Sequence, residues 1–187
     1  FAVATIRNWW IEMGKEVYTN DYLAFNCNIA KALIENSNEH ISDDEFNIIV
    51  SKKEGFNYSY FITETFHDIY YLDEENSWLD IVVQNINEIE NKQKQSMYFW
   101  ALYQSCISKR PYNLFHRKNL YVRTSDVKRN FGNKTTWDKP FEEHFYKFIT
   151  EINSAVFNNG KNNKAFCGDT FDLDIKADLV YFDTPYI

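Results

Sequence analysis

The chain has 187 residues, 44% hydrophobic and 18% aromatic, enough to build a packed core, and a mean hydropathy of −0.53 with no long apolar run excludes a helical membrane span. The net charge of −7 hides an asymmetry: nine Lys/Arg and two acids lie between Lys109 and Lys139, a local +7, which leaves −14 on the remainder. Cys27, Cys106 and Cys167 are odd in number and far apart, with no zinc spacing and no secretory leader ahead of them. They read as reduced core residues of a cytoplasmic protein, and the abundance of Asn, Lys, Ile, Tyr and Phe suggests an AT-rich genome.

Val3, Ile6, Trp10 and Met13 recur at helical spacing and predict an amphipathic helix ended by Gly14. Residues Lys15 to Thr19 read as a short strand closed by Asn20 and Asp21. Leu23, Cys27, Ala30 and Ile34 then share one helical face. Helix, strand, acid and helix in that order form the spine of a doubly wound α/β sheet. At the carboxyl end of a strand in such a sheet, one carboxylate can accept both hydroxyls of a ribose. Asp21 is the candidate; capping the following helix is an equally good local use of it.

A long acidic, mostly helical stretch follows. Ser42 to Glu45 is a capping box that predicts a helix to about Ser51, and Lys53 to Tyr58 break the pattern. Asp73 opens a helix carrying Trp78, Leu79, Val82, Val83 and Ile86. Another runs from Lys92 to Ser108, with Met97, Trp100 and Ala101 inward. These read as scaffold, and His40 and His67 as structural. The basic segment 109–139 is interleaved with Tyr112, Phe115, His116, Tyr121, Phe131 and Trp137. Cations alternating with rings are the footprint of a nucleic-acid contact, and a solvated loop is the alternative. A hairpin or loop is expected there, with Asn119 to Arg123 as one short strand. Asp138-Lys139-Pro140 opens a helix with Phe141, Phe145, Phe148, Ile149, Ile152 and Val156 on its apolar face and Glu142 and Glu143 at its positive end; Asn158-Asn159-Gly160 stops it. Lys164 to Asp169 reads as a further strand ending in an acid.

The final run, Leu179 to Phe182, reads as a buried strand ending in Asp183-Thr184-Pro185-Tyr186. An acid, a rigid turn and a ring at the carboxyl end of a strand suit a planar base with an exocyclic amine. Asp183 and a backbone carbonyl beside Pro185 would accept the amine hydrogens, and Tyr186 would stack on the base. If the three strands lie parallel and adjacent, Asp21, Asp169 and Asp183 share one rim. A metal-dependent nuclease is disfavoured, because the acids fall at separate strand ends with no lysine beside them.

The terminal tetrapeptide resembles the DPPY motif of amino-methylating DNA methyltransferases, with Thr184 in place of the first proline. The ordered set EVYTND and LAFNCNIAKALIEN, KRPYNLFHRKNLYVR, RNFGNKTTWDKPFEEHF, KAFCGDTFD and DLVYFDTPYI resembles the Dam-like DNA adenine methylases of restriction–modification systems across most of the chain. The resemblance implies a Rossmann-like S-adenosylmethionine-dependent sheet, incomplete here, formed by residues 1–40 and 158–187, with a helical insertion at 41–157 that includes target-recognition segment 109–139. It assigns Asp21 to the cofactor's ribose, Asp169 to its adenine, and Asp183, Pro185 and Tyr186 to the target base. Arg110, Asn113, Arg117, Lys118, Arg123, Lys128, Arg129 and Lys134 are the expected contacts to double-stranded DNA. A cognate restriction endonuclease would be a functional rather than physical partner, and neither metal nor membrane is implied.

The family's glycine-rich loop and the strand before it are not found ahead of Ala2-Val3, and the later strands do not follow Ile187. The expectation is therefore a portion of a longer methyltransferase. Its alternatives are a non-catalytic DNA-binding module and a cytosine-N4 enzyme. Asp183 in the first motif position, rather than Ser or Asn, favours adenine among the families it resembles.

Overall fold

Helix starts along the chain are set by local chemistry. The structure, a computed structural model, describes residues 13–110, 118, 120–125 and 134–183. The predicted first helix lies almost wholly outside these, although Gly14, expected to end it, has φ 71° in the left-handed region that favours glycine. Strand β1 is Tyr18–Asp21, and α1, Ala24–Ala30, continues into a wider π-type turn at Lys31–Glu35. Helix α2, Asp43–Val50, begins on the predicted capping box: Ser42 Oγ accepts from Glu45 N at 3.3 Å and Ser42 N donates to the Glu45 carboxylate at 2.9 Å. The short α3, Phe61–Thr65, is fastened by buried Asp80, which accepts from the Ile62 and Thr63 backbone N–H groups at 2.8 and 2.9 Å. Helices α4, Asp73–Asn87, and α5, Lys92–Lys109, follow, and Asn91 caps the second by accepting from Lys94 N at 3.0 Å.

One-turn α6, Tyr121–Thr124, and α7, Lys134–Asp138, precede α8, Phe141–Ala155. The chain then enters β2, Lys164–Cys167, and a 3₁₀ turn at Thr170–Asp172. Among the described residues the sheet is β1 and β2 alone, parallel, with Tyr18 opposite Lys164 and Asp21 opposite Cys167. The architecture is mixed and mostly helical around this small parallel pair.

The core is continuous from Val17 and Ala165 at the sheet, through Ala30 to Ile34, to α5 and α8. Met97, Ala101, Phe145 and Ile152 are fully buried, as the predicted helical faces require. Aromatic side chains lock the helices: Trp78 stacks on Phe141 at 5.4 Å, Phe46 meets Phe145 at 5.6 Å, and Trp100 meets Phe148 edge-on at 6.1 Å. Buried Asn85 is fully paired: it donates to the Ile49 and Ser51 carbonyls and accepts from Tyr58 OH.

Three expectations are corrected. The predicted strand at Asn119 to Arg123 contains the helical turn α6, with Leu120 and Val122 buried. Leu179 to Phe182 are not in the sheet; they are exposed, at 58–70% of full exposure. A parallel strand is stable when helices or neighbouring strands cover it, and no such cover meets this run among the described residues. Cys27 and Cys167 are not free thiols but a disulfide joining α1 to the end of β2, with Cα atoms 5.5 Å apart. Cys106 remains the single free cysteine. Peptide mapping of the unreduced protein should recover one linked pair containing Cys27 and Cys167; recovery of both as separately alkylated thiols would show that the bridge is absent.

Candidate functional site

Two assemblies of polar groups stand out, one at the sheet rim and one at the base of the basic segment. Because β1 and β2 are parallel, their carboxyl ends open on the same side, and Gly168 N donates to Asp21 O at 3.0 Å just past the ladder. Asn20 stitches the two exits together, donating to Gly168 O at 3.0 Å and Thr170 Oγ1 at 3.2 Å. Asp21 accepts from Leu23 N at 2.8 Å and from Asn26 Nδ2 at 2.9 Å, a local turn ahead of α1 and not its cap, since the N-cap position is Leu23 and carries no side-chain cap bond. Each carboxylate oxygen has two lone-pair sites, so a second donor can still be accepted at each. These local bonds and diol binding are therefore compatible at this residue. Asp169 accepts from Phe171 N at 3.0 Å and is exposed. The rim thus offers acceptors, which suit a ligand rich in hydroxyl and amine donors and carrying positive charge.

Asp183 is exposed at the end of segment 173–183, without ladder pairing to β1 or β2. Pro185 and Tyr186 lie outside the described residues, as do Asn113, Arg117, Lys128 and Arg129. Lys118 is exposed, and Lys134 opens α7. Arg110 and Arg123, expected to face DNA, lie in the interior instead. Arg110 is 2% exposed with its guanidinium over the Tyr70 ring at 4.5 Å. Arg123 forms a two-pronged bond to Glu75, with both N–O distances 2.7 Å.

Glu75 is the residue that sequence reasoning missed. It sits in the first turn of α4, where an acid already looks explained by the helix dipole. Lys109, the last residue of α5, places its ammonium 2.5 Å from Glu75 Oε1, 2.7 Å from Trp137 O and 2.5 Å from Lys139 O. Arg123 Nη2 also reaches Trp137 O at 3.1 Å, and Leu72 N donates to Glu75 Oε2 at 3.1 Å. All three ammonium protons therefore have acceptors. Burial works to raise the Glu75 carboxyl, but the Arg123 fork and the Lys109 ammonium outweigh it and hold it below the usual carboxylate range. Burial draws the Lys109 ammonium down, with Glu75 opposing.

A short parallel sheet with an acidic rim, joined to a helical assembly that carries a cation-rich segment, is compatible with a methyltransferase α/β fold. The chain belongs to the family described as D12 class N6 adenine-specific DNA methyltransferase, which matches residues 5–187. It is 33% identical over 182 residues to Type II methyltransferase M2.HphI of Haemophilus parahaemolyticus. That alignment covers 92% of this chain and 53% of the relative, so the chain spans about half the relative's length. No solved structure matches the chain. The family description names adenine N6, against the cytosine-N4 alternative.

His144, in α8, reports on the base of the basic segment. Burial pushes its imidazole below the ordinary value, the Thr136 carbonyl at 2.8 Å opposes, and Lys109, Lys139 and Lys147 push it lower again. A depressed folded-state value means that the unfolded chain binds the proton more readily. This contribution to stability is therefore present above the unfolded value of about 6.5 and is lost as pH falls below it. His67, which Asp73 pulls upward, works in the opposite sense. Thermal midpoints across pH ~7.5 to ~5 should fall less steeply in His144→Gln than in the parent. Identical slopes would remove His144 from this role.

Proposed function

We propose that this chain forms the target-recognition region and part of the catalytic α/β core of a DNA methyltransferase that acts on N6 of adenine. The match to the D12 class over residues 5–187 carries the reading. The sheet is read as Rossmann-like, with residues 1–40 and 158–187 in the core and 41–157 as the helical insertion. The relative's description as a Type II methyltransferase supports placing the protein in a bacterial restriction–modification system, where a cognate endonuclease shares the recognition sequence without binding the methyltransferase. No helix among the described residues is long and apolar enough to cross a membrane.

The acceptor-rich rim fits S-adenosylmethionine, whose ribose diol and amines are donors. When bound, that cofactor supplies an electrophilic methyl group on a sulfonium. Asp21 would take the ribose hydroxyls and Asp169 would lie beside the cofactor's adenine. Asp183 and the carbonyl at Pro185 would accept the two hydrogens of the target amine, favouring a pyramidal nitrogen and concentrating its lone pair on one face. Tyr186 would stack on the base once it leaves the duplex, which costs about a few kcal/mol. Fixed orientation and preorganised acceptors supply the rate. The cysteines suit a route without a covalent enzyme adduct: Cys27 and Cys167 are bonded to each other, and burial pushes the Cys106 thiol up to about 12. Asn113, Arg117, Lys118, Lys128, Arg129 and Lys134 would contact DNA, with Arg110 and Arg123 supporting the segment from inside.

A second reading, a DNA-binding module without activity, is favoured by one observation: Asp183 is on an exposed segment and not on the β1–β2 rim. Transfer of labelled methyl to unmethylated DNA by the full-length protein separates the two. The parent should methylate adenine, and Asp183→Ala should lose about 100-fold or more of that rate while still binding the cofactor. A parent that binds DNA with a steep salt dependence but neither binds cofactor nor transfers methyl would establish the second reading.

A further inference from the structure

The strongest group of charges outside the sheet rim is the Glu75 cluster, and its position is informative. Lys109 is the last residue of α5, where the chain enters the basic segment. The carbonyls it grips belong to Trp137 and Lys139, where the chain returns to α8, so one ammonium closes excursions of 28 and 30 residues. Arg123 lies between these two feet and is held by the same carboxylate. Glu75 therefore joins the fixed end of α4 to the start, middle and end of the segment.

We propose that Glu75 is a positioning residue for DNA recognition: through Lys109 and Arg123 it fixes where the basic segment stands over the target sequence. The proposal rests on the methyltransferase reading. A cluster of one acid and two cations, with side chains 13%, 2% and 6% exposed, is a poor device for stability alone, because apolar side chains of similar shape do as well in such places. What a charged network adds is direction. Glu75 Oε1 receives Arg123 and Lys109, Oε2 receives Arg123 and Leu72 N, and Trp137 O receives both cations. With both Glu75 oxygens doubly occupied and the Lys109 ammonium fully paired, one arrangement of the two feet satisfies these bonds, and a shifted segment leaves buried charge unpaired. The side chain touches no DNA in this account; its influence passes through the angle at which the segment leaves the helical assembly.

The test uses the full-length protein with unmethylated phage DNA and maps N6-methyladenine by sequencing. Glu75→Gln and Arg123→Lys are each assayed well below their own thermal midpoints. Arg123→Lys keeps the charge and loses the fork, so it carries the test if the first variant does not fold. The expected result is a rise of about tenfold in the DNA KM and a fall of about tenfold in preference for the recognised site over sites differing by one base pair. The cofactor KM, and kcat at saturating DNA, should stay within about twofold. Folded variants with lowered thermal midpoints and parental DNA KM and site preference would overturn the proposal, leaving the cluster a purely structural role. So would a change in cofactor KM as large as that in DNA KM. A parent that transfers no methyl to any DNA overturns the methyltransferase reading instead, and this proposal with it.

Discussion

Helix α5 is the constraint on which the rest of the structure depends. It packs on α8, on α1 with its π-type turn, and on α4 and α7. Ser96, Ala101 and Ser105 are buried along it, and these small side chains let neighbouring helices come close, while Met97, Trp100 and Leu102 fill the space between them. Interiors packed to this density do not deform smoothly, so an element with this many neighbours fixes the relative positions of all of them. Without α5 the helix that covers the sheet would have nothing to rest on, and the basic segment would lose one of its feet.

The two polar assemblies solve different problems. At the sheet rim, carboxylates are partly satisfied by local backbone and remain open to solvent, a state that leaves capacity for a ligand. At the base of the basic segment, the carboxylate is saturated and enclosed, which leaves no capacity for a ligand and a narrow choice of geometry. On the proposed reading the same residue types serve recognition in one place and placement in the other, and exposure separates them: Asp169 is open, whereas the Glu75 side chain is 13% exposed. Burying a cation costs several kcal/mol unless its partners are well placed, so the short contacts to Lys109 and Arg123 are a condition of their being inside at all.

What the sequence revealed follows the range of the interactions. The capping box at Ser42, the apolar face from Phe141 to Ile152 and the inward residues of α5 are local patterns, and the structure has them where the pattern predicts. Parallel adjacency of the strands closed by Asp21, Asp169 and Asp183 was a condition in the sequence, and among the described residues the first two meet it. The bridge between Cys27 and Cys167 was not, because 140 residues separate them and nothing in their spacing marks a pair. Arg123 carried the composition of a DNA contact, and only its distance to Glu75, 48 residues away in the chain, assigns it to the interior. Leu120 and Val122 alternate like a strand and are buried like one, yet Val122 lies within a helical turn and Leu120 just before it, a case of tertiary contacts overriding a short-range pattern.

The charge asymmetry also reads differently in three dimensions. Lys109, Arg110 and Arg123 contribute to the local +7 of the sequence, yet all three are spent inside the protein. The positive surface available to a polyanion is therefore smaller than the linear count suggests. Tyr103 of α5 meets Phe25 of α1 at 4.4 Å and accepts from Asn28 at 3.3 Å, on the helix that follows Asp21. From Tyr103 to Lys109 is about 9 Å along one helix axis. The acidic rim and the base of the cation-rich segment are thus tied to a single rigid rod. On the methyltransferase reading this matters, because a flipped base must arrive within about 3–3.5 Å of the reacting group. A short, rigid connection between the part that grips DNA and the part that holds the donor meets that tolerance in a way that two independently hinged units would not.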